Sequence, residues 1–300
     1  MLGVRLDNLN ELEVPLPPLP EQRAIVAKLE RLFTELDRSV AELEVAREKL
    51  GVYRQSVLKE AFAGRLTEGW RERQHEPYLT PQPRNSSKFK ADISSFDLTL
   101  PQQWQVEALG NLSNGVQYGT SAKSLKEGSI PVLRMGNMQN GRLDWSDLKY
   151  SVDQTEITKY KLSKGDVLFN RTNSPEWVGK TAIYNEEQPA IFAGYLIRIN
   201  QDINFLDGQY LTYFLNSHTA KMHGNRVKTD GVNQSNINGK KLSSYPIPLP
   251  SLIEQHQVVQ EIDSRFSVAD HLEREIGVSL ERARGLRQGV LKRAFAGELI

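Results

Sequence analysis

Two stretches of the chain space their apolar residues by threes and fours. In the first they fall at Ile25, Leu29, Leu32, Leu36, Val40, Leu43, Ala46, Leu50, Tyr53, Val57 and Ala61. In the second they fall at Val258, Ile262, Phe266, Ala269, Leu272, Ile276, Ala283, Leu286, Val290 and Ala294. Each set makes one stripe on an α-helix. Proline-rich lead-ins before Glu21 and Glu254 and glycines at 64 and 297 mark where the helices start and stop. At 1.5 Å per residue, a helix of about 44 residues spans ~66 Å and needs a partner along its length. The stripes fit two helices paired with each other, as a coiled-coil hairpin or across a dimer; a core helix in a bundle is the plainer alternative.

The two helical stretches are copies. VPLPPLPEQ at 14–22 matches IPLPSLIEQ at 247–255, and VLKEAFAGRL at 57–66 matches VLKRAFAGEL at 290–299, with no gap at an offset of 233 residues. That spacing is too long for a solenoid and describes a large unit that ends in a helical tail. Between the copies, 67–100 is polar, rich in Pro and Ser and without period, so it reads as a linker. From 101 the pattern changes to short apolar runs, IPVLRMGNM, DVLFNRT and AIFAGYLIRI, which read as strands, with one helical stretch at 207–224. The expected fold is α+β: one mixed α/β domain plus two long helices.

Composition narrows the chemistry. The 300 residues are 39% hydrophobic and 25% charged, with a formal net charge of +1 and no cysteine. Disulfides and thiolate metal sites are thereby excluded, which fits a reducing, cytoplasmic setting. No apolar run approaches the ~20 residues of a membrane span, and the N-terminus lacks the pattern of a signal peptide. The five histidines show no metal-ligand spacing with nearby acids. Gly179-Lys180-Thr181 lacks the earlier glycine of a phosphate loop. Asn173-Ser-Pro-Glu176 is only faintly similar to the catalytic tetrapeptide of amino-methyltransferases, and no glycine-rich cofactor turn follows a strand.

Readout chemistry is what the domain does offer. Amides suit adenine edges, and Arg or Lys suits guanine. Such residues gather in four glycine-containing segments, 114–124, 134–142, 170–181 and 225–241, within a stretch (100–245) that holds 16 Lys plus Arg against 13 Asp plus Glu. The candidates are Tyr118, Ser121, Lys123, Arg134, Asn137, Gln139, Arg226, Lys228, Gln234 and Asn236. Ordinary polar loops on an α/β scaffold remain the bland alternative.

The order of segments resembles the specificity subunit of type I restriction-modification enzymes over essentially the whole chain. PLPPLPEQRAIVAKLERLF, SVLKEAFAGRLTEGWRE, GDVLFNRTNSPEWVGKT and GVNQSNINGKKLSSYPIPLP carry the match. The resemblance adds Arg171, Thr172, Asn173, Ser174 and Lys180 to the DNA-binding candidates, with Thr172 and Ser174 equally suited to capping a turn. It implies two target-recognition domains, each reading half of a split double-stranded DNA target, on conserved helices that pack antiparallel as a coiled coil and dock methyltransferase subunits. It further implies no catalysis and no cofactor in the chain itself, with S-adenosylmethionine, ATP and Mg used by methyltransferase and restriction/translocase partners. Here one recognition domain is expected, at 101–253, between helices at 21–66 and 254–300, with 1–20 as the tail of another domain. Such a chain is either cut from a longer subunit or a half-size form that makes a homodimer through its helices. A stand-alone DNA methyltransferase and a pure coiled-coil assembly protein are the rival readings.

Overall fold

A computed structural model describes residues 14–74, 88–185, 187–232 and 234–300. The expected tail at 1–20 therefore falls mostly outside the described residues. The described residues form two compact units: the larger lies within 54–266, and the smaller runs from 14 to Tyr53 and from Ser267 onward. The division falls inside the two long helices, α1 (Leu19–Phe62) and, at the C-terminal end, a matching helix Leu252–Phe295. Among the described residues no helix is long and apolar enough to cross a membrane.

Part of the stretch expected to be a linker is built into the larger unit. A short helix, α2 (Glu68–Glu72), follows α1. Thr67 is fully buried, and the Arg71 guanidinium bridges the buried Glu254 carboxylate. The Arg71 Nη1 also donates to Thr67 Oγ1 at 2.8 Å, so both charges are hydrogen-bonded as burial requires. Farther on, Phe96, Leu98 and Leu100 pack against the core. Their apolar positions are too sparse for any period, which is why the segment reads as linker.

The rest of the larger unit is the mixed domain. Its strands are β1 (Gln105–Ala108), β2 (Ser113–Tyr118), β3 (Ile130–Leu133), β4 (Met138–Gln139), β5 (Arg142–Leu143) and β6 (Lys149–Ser151). After helix α3 (Gln154–Tyr160) come β7 (Val167–Asn170), β8 (Thr172–Asn173), β9 (Thr181–Ile183), β10 (Ile191–Phe192) and β11 (Leu196–Gln201). Helices α4 (Gly208–Leu215) and α5 (His218–Val227) precede β12 (Thr229–Asp230), β13 (Ser235–Asn236), α6 (Gly239–Ser243) and β14 (Pro246–Leu249), and the long α7 (Leu252–Phe295) closes the chain. The helical stretch expected at 207–224 is two helices, because the Ser217 side chain accepts the Ala220 N–H and caps a new start.

The sheets are small: β2-β11-β7-β9, β10-β3-β6, β12-β13-β8 and the pairs β1-β14 and β4-β5. Two apolar cores lie between them. One joins the last turns of α1 (Val57, Leu58, Ala61, Phe62) and the first turns of α7 (Val258, Ile262) to α4, β7 and β11. Phe62 is fully buried, edge-on to Tyr210 and Phe214 at 5.3 and 5.1 Å. The other packs β3, β10 and Leu168 around Phe192 and Tyr184.

In the smaller unit, Ile25, Leu29, Leu32, Leu36, Val40, Leu43, Ala46 and Leu50 of α1 are all half-buried. On α7 the stripe differs from expectation. Leu272 and Leu286 are 47% and 58% exposed, whereas Leu280 is buried. The inward positions are Ala269, Leu280 and Ala294, which are buried, and Glu273, Ile276, Ala283 and Val290, which are half-buried; with the exposed Arg287 they complete a strict alternation of four and three. Polar residues occupy two of those positions, so counting leucines selects the wrong ones. At one of them the Arg287 guanidinium bonds Asp37 at 2.6 Å and lies 4.7 Å over the Phe33 ring of α1.

Candidate nucleic-acid interface

Three loops and one crossing of strands enclose a cavity of about 960 Å³ on the larger unit. The first loop leaves β3. Its short turn, Met135–Asn137, is held by Asn137, whose Oδ1 accepts the Arg134 N–H at 3.0 Å and whose Nδ2 donates to the carbonyls of Asp144 and Asp147 at 3.0 and 2.8 Å. Beyond it, Asn140 (φ 52°) and Gly141 (φ 79°) form the two-residue turn that joins β4 to β5. Asn-Gly is the pair that such a hairpin turn favours. It sets Gln139 at the cavity wall.

The second loop runs from β7 to β9. The Asn170 N–H donates to the Lys180 carbonyl and the Gly179 N–H to the Asn170 carbonyl, both at 2.8 Å, closing the loop like a clasp. Within it the Trp177 and Val178 N–H groups donate to the Ser174 carbonyl, and the Ser174 N–H donates to Asn173 Oδ1. The loop thus presents Asn173, Trp177 and Lys180 to the cavity from a braced backbone. The third loop follows β2, carrying Ser121 and Lys123. Here Gly119 passes so close to the chain after β10 that a Cβ would lie 2.3 Å from the Phe192 carbonyl oxygen, so no other residue fits without moving backbone. That approach brings Gly194 and Tyr195 to the cavity, and the Arg171 Nε donates to the Gly194 carbonyl at 2.9 Å.

The charge inside is positive. Lys123, Arg134, Arg171 and Lys180 line the cavity against Asp147, whose carboxylate accepts from Arg134 at 3.0 Å. The Lys180 ammonium lies 4.0 Å over the Trp177 ring and donates to Gln139 Oε1 at 3.2 Å. Burial, and then the neighbouring Lys221 ammonium, hold its pKa below the ordinary lysine value. An anion arriving here would relieve both effects. Tyr195 and Trp177 are about half exposed beside these cations. Cations, amides and open aromatic faces on a rigid support are what contacts to phosphates and base edges require.

Seven of the candidate residues share this cavity: Ser121, Lys123, Arg134, Gln139, Arg171, Asn173 and Lys180. Tyr118 stands behind it, its ring 4.9 Å under the Arg171 guanidinium and its hydroxyl oxygen accepting the Gly239 N–H at 2.8 Å. Asn137 and Thr172 are buried. Asn137 braces its turn, and Thr172 Oγ1 accepts from Asn236 Nδ2 at 2.7 Å, tying β8 to β13. As they stand, these three support the surface rather than form it. Ser174 serves its loop through its carbonyl. Lys228 donates to the Pro175 carbonyl at 3.4 Å, Gln234 is exposed on the β12–β13 hairpin, and Arg226 pairs with Asp92 away from the cavity. Sequence reasoning overlooked Trp177 and Tyr195. A tryptophan in a polar Gly- and Pro-containing loop, outside any apolar run, was a signal for the first. Tyr195 sits inside an apolar run and carried none.

The chain matches the family described as type I restriction modification DNA specificity domain over residues 101–282. It is 31% identical over 308 residues to the EcoKI type I restriction enzyme specificity subunit of Escherichia coli strain K12, covering 99% of this chain and 61% of that protein. It is 27% identical to the EcoBI specificity subunit of Escherichia coli, covering 97% and 59%. The chain thus spans about three fifths of the length of these relatives. Among solved structures, a chain from work on complex assembly and conformational transition of the type I R-M system superposes with a TM-score of 0.67 at 23% identity, over 95% of this chain and 61% of that one. The HsdS subunit from Thermoanaerobacter tengcongensis gives 0.50 at 22%, over 95% and 60%.

Proposed function

The chain belongs to the type I restriction-modification DNA specificity family, and on that premise we propose that it reads one half of a bipartite DNA target and scaffolds the enzymes that act there. The observation that carries the reading is the cavity, where four cations, two amides and two open aromatic rings converge on braced loops. Arg134, Arg171 and Gln139 are the readers of base edges, Lys123 and Lys180 take phosphates, and Ser121, Asn173, Trp177 and Tyr195 shape the groove contact. Tyr118, Asn137, Thr172, Ser174 and Asn236 hold those side chains in place. Arg226, Lys228 and Gln234 lie on the flank.

The two long helices are the scaffold. The half-buried stripes and the contact of Arg287 with Asp37 and Phe33 support an antiparallel coiled coil. Its polar faces would dock methyltransferase subunits and a restriction/translocase subunit. Methyl transfer and cleavage, with S-adenosylmethionine, ATP and Mg, belong to those partners; the chain itself is not an enzyme.

The repeated ends support a second recognition domain on the same scaffold. In the first copy Leu58 and Phe62 are buried in the domain core, at 3% and 0% exposure. Their counterparts Leu291 and Phe295 are 37% and 63% exposed. The lead-ins show the converse, with Leu249 buried and Leu16 82% exposed. The open copies offer the surface that a domain of the same kind grips, and a second copy of this chain would supply one.

Titration of labelled duplexes with the purified chain across a salt series tests DNA reading, and incubation with labelled S-adenosylmethionine tests the absence of catalysis. Salt-dependent binding that discriminates between duplexes, with no label transferred in the absence of partners, is the expected result. Transfer of label by the chain alone overturns the non-catalytic part, and failure to bind any duplex overturns the whole.

A further inference from the structure

A second hollow, of about 760 Å³, opens on the same unit and holds none of the residues that line the first. Lys90, Lys240 and Lys241 line it. The single carboxylate among its described lining residues, Asp92, is already occupied: Ser94 donates to it from both N–H and hydroxyl, and the Arg226 guanidinium bridges it. Lys241 is set in place at both ends, its N–H donating to Asn238 Oδ1 at 3.0 Å and its ammonium to Thr229 Oγ1 at 2.6 Å.

Three contacts join the two hollows. Arg171, in the first, stacks on the Tyr118 ring at 4.9 Å; the Tyr118 hydroxyl takes the Gly239 N–H at 2.8 Å; and Gly239 adjoins Lys240, in the second. That path is much shorter than one turn of B-DNA, about 34 Å. Charge is segregated along it. Lys123, Arg134, Arg171 and Lys180 less Asp147 give +3, and Lys90, Lys240, Lys241 and Arg226 less Asp92 give +3. The whole chain carries +1, so everything outside these residues sums to 1 − 6 = −5. The track therefore concentrates positive charge that the net value hides, which suits a polyanion.

We propose that the second hollow seats the phosphate backbone of the duplex beside the half-site, through Lys90, Lys240 and Lys241. This deepens the DNA-reading function and rests on it. Lysines are mobile point charges rather than planar forks, so they fix the position of the duplex and read no sequence. The division of labour is then spatial: amides and arginines in the first cavity choose the bases, and the second hollow supplies affinity and register.

The test uses the full chain and two labelled duplexes, one of about ten base pairs carrying only the preferred half-site and one extending it by about ten base pairs on each side. Each is titrated across a salt series with wild type and with the Lys90→Gln/Lys240→Gln/Lys241→Gln variant. On the long duplex the variant should bind about tenfold or more weakly near physiological salt, and its log K against log salt slope should flatten by between two and three. On the short duplex the two proteins should agree, and the ratio between preferred and unrelated long duplexes should not change. An unchanged slope on the long duplex, an equal loss on both lengths, or a changed preference overturns the assignment. Replacing chloride by inorganic phosphate at equal ionic strength should leave the long-duplex affinity of wild type intact; selective loss there makes the hollow a small-anion site and overturns it too. Wild type that binds neither duplex removes the underlying DNA-reading function itself, a result distinct from all of these.

Discussion

Lys180 illustrates how a single side chain in this protein ties chemistry to pH. Its ammonium is partly desolvated over Trp177 and near Lys221, so in the free protein it loses its proton more readily than a surface lysine. A bound phosphate reverses the shift, which couples binding to proton uptake. Affinity for DNA should therefore fall as pH rises through the alkaline range below the ordinary lysine value of 10.5. Lys180→Arg, which stays charged, should flatten that decline, and Lys180→Ala should weaken binding to all duplexes and lower the salt slope by about 1. Anisotropy titrations at several pH values check this; an equal decline in the arginine variant would contradict it. Arg134→Ala should instead cost about 1–3 kcal/mol on the preferred sequence alone. At this scale the sequence was only partly legible. Residue type pointed to Arg134 and Gln139, and the family resemblance to Arg171 and Lys180; all four line one cavity. Asn137 has the same type and faces inward, because its buried amide pairs the Arg134 N–H and the Asp144 carbonyl, which would otherwise lack a partner, and shares the Asp147 carbonyl with Arg134. Only packing distinguishes the two uses of an asparagine.

The long helices are the elements whose repetition has the sharpest energetic consequence. Phe62 and Phe295 occupy equivalent places in matching phrases, yet one is buried against Tyr210 and Phe214 and the other is 63% exposed. Phe62→Ala should destabilise the chain by about 3–5 kcal/mol, the usual cost of emptying an aromatic core position. Phe295→Ala should change monomer stability by no more than about 0.5 kcal/mol. Denaturant unfolding of both variants at low protein concentration measures the difference, and equal effects would contradict the assigned burial. Arg71→Ala should be costly as well, about 3–5 kcal/mol, since it strands the buried Glu254 carboxylate. The existence of both helices was plain from periodicity, and so were the strands within three short apolar runs, chiefly β3, β7, β10 and β11. The inner face of α7 was not, because Glu273 and Arg287 occupy stripe positions that a search for apolar residues passes over. Nor did the apolar pattern show that 67–74 and 88–100 pack onto the domain, because two ion pairs, a few hydrogen bonds and scattered apolar side chains accomplish that.

For the molecule as a whole, the balance of charge and the open helix ends lead to the same picture of a chain that works in company. A net charge of +1 conceals two basic hollows, with the remaining residues summing to a negative charge, so DNA binding should weaken steeply with salt. If a second domain grips the open copies, the chain should self-associate, and Phe295→Ala should weaken the dimer while leaving the monomer intact; sedimentation of both proteins over a concentration range checks it. The central claim is that one cavity reads one half-site. Selection from a pool of randomised duplexes, carried out with the purified chain at a concentration where it is monomeric, tests that claim most directly. Recovery of one short contiguous motif by wild type, relaxed at a single position by Arg134→Ala and kept by Lys180→Ala at lower affinity, is the predicted result. Recovery of no motif, or of the same motif with Arg134→Ala, would contradict it.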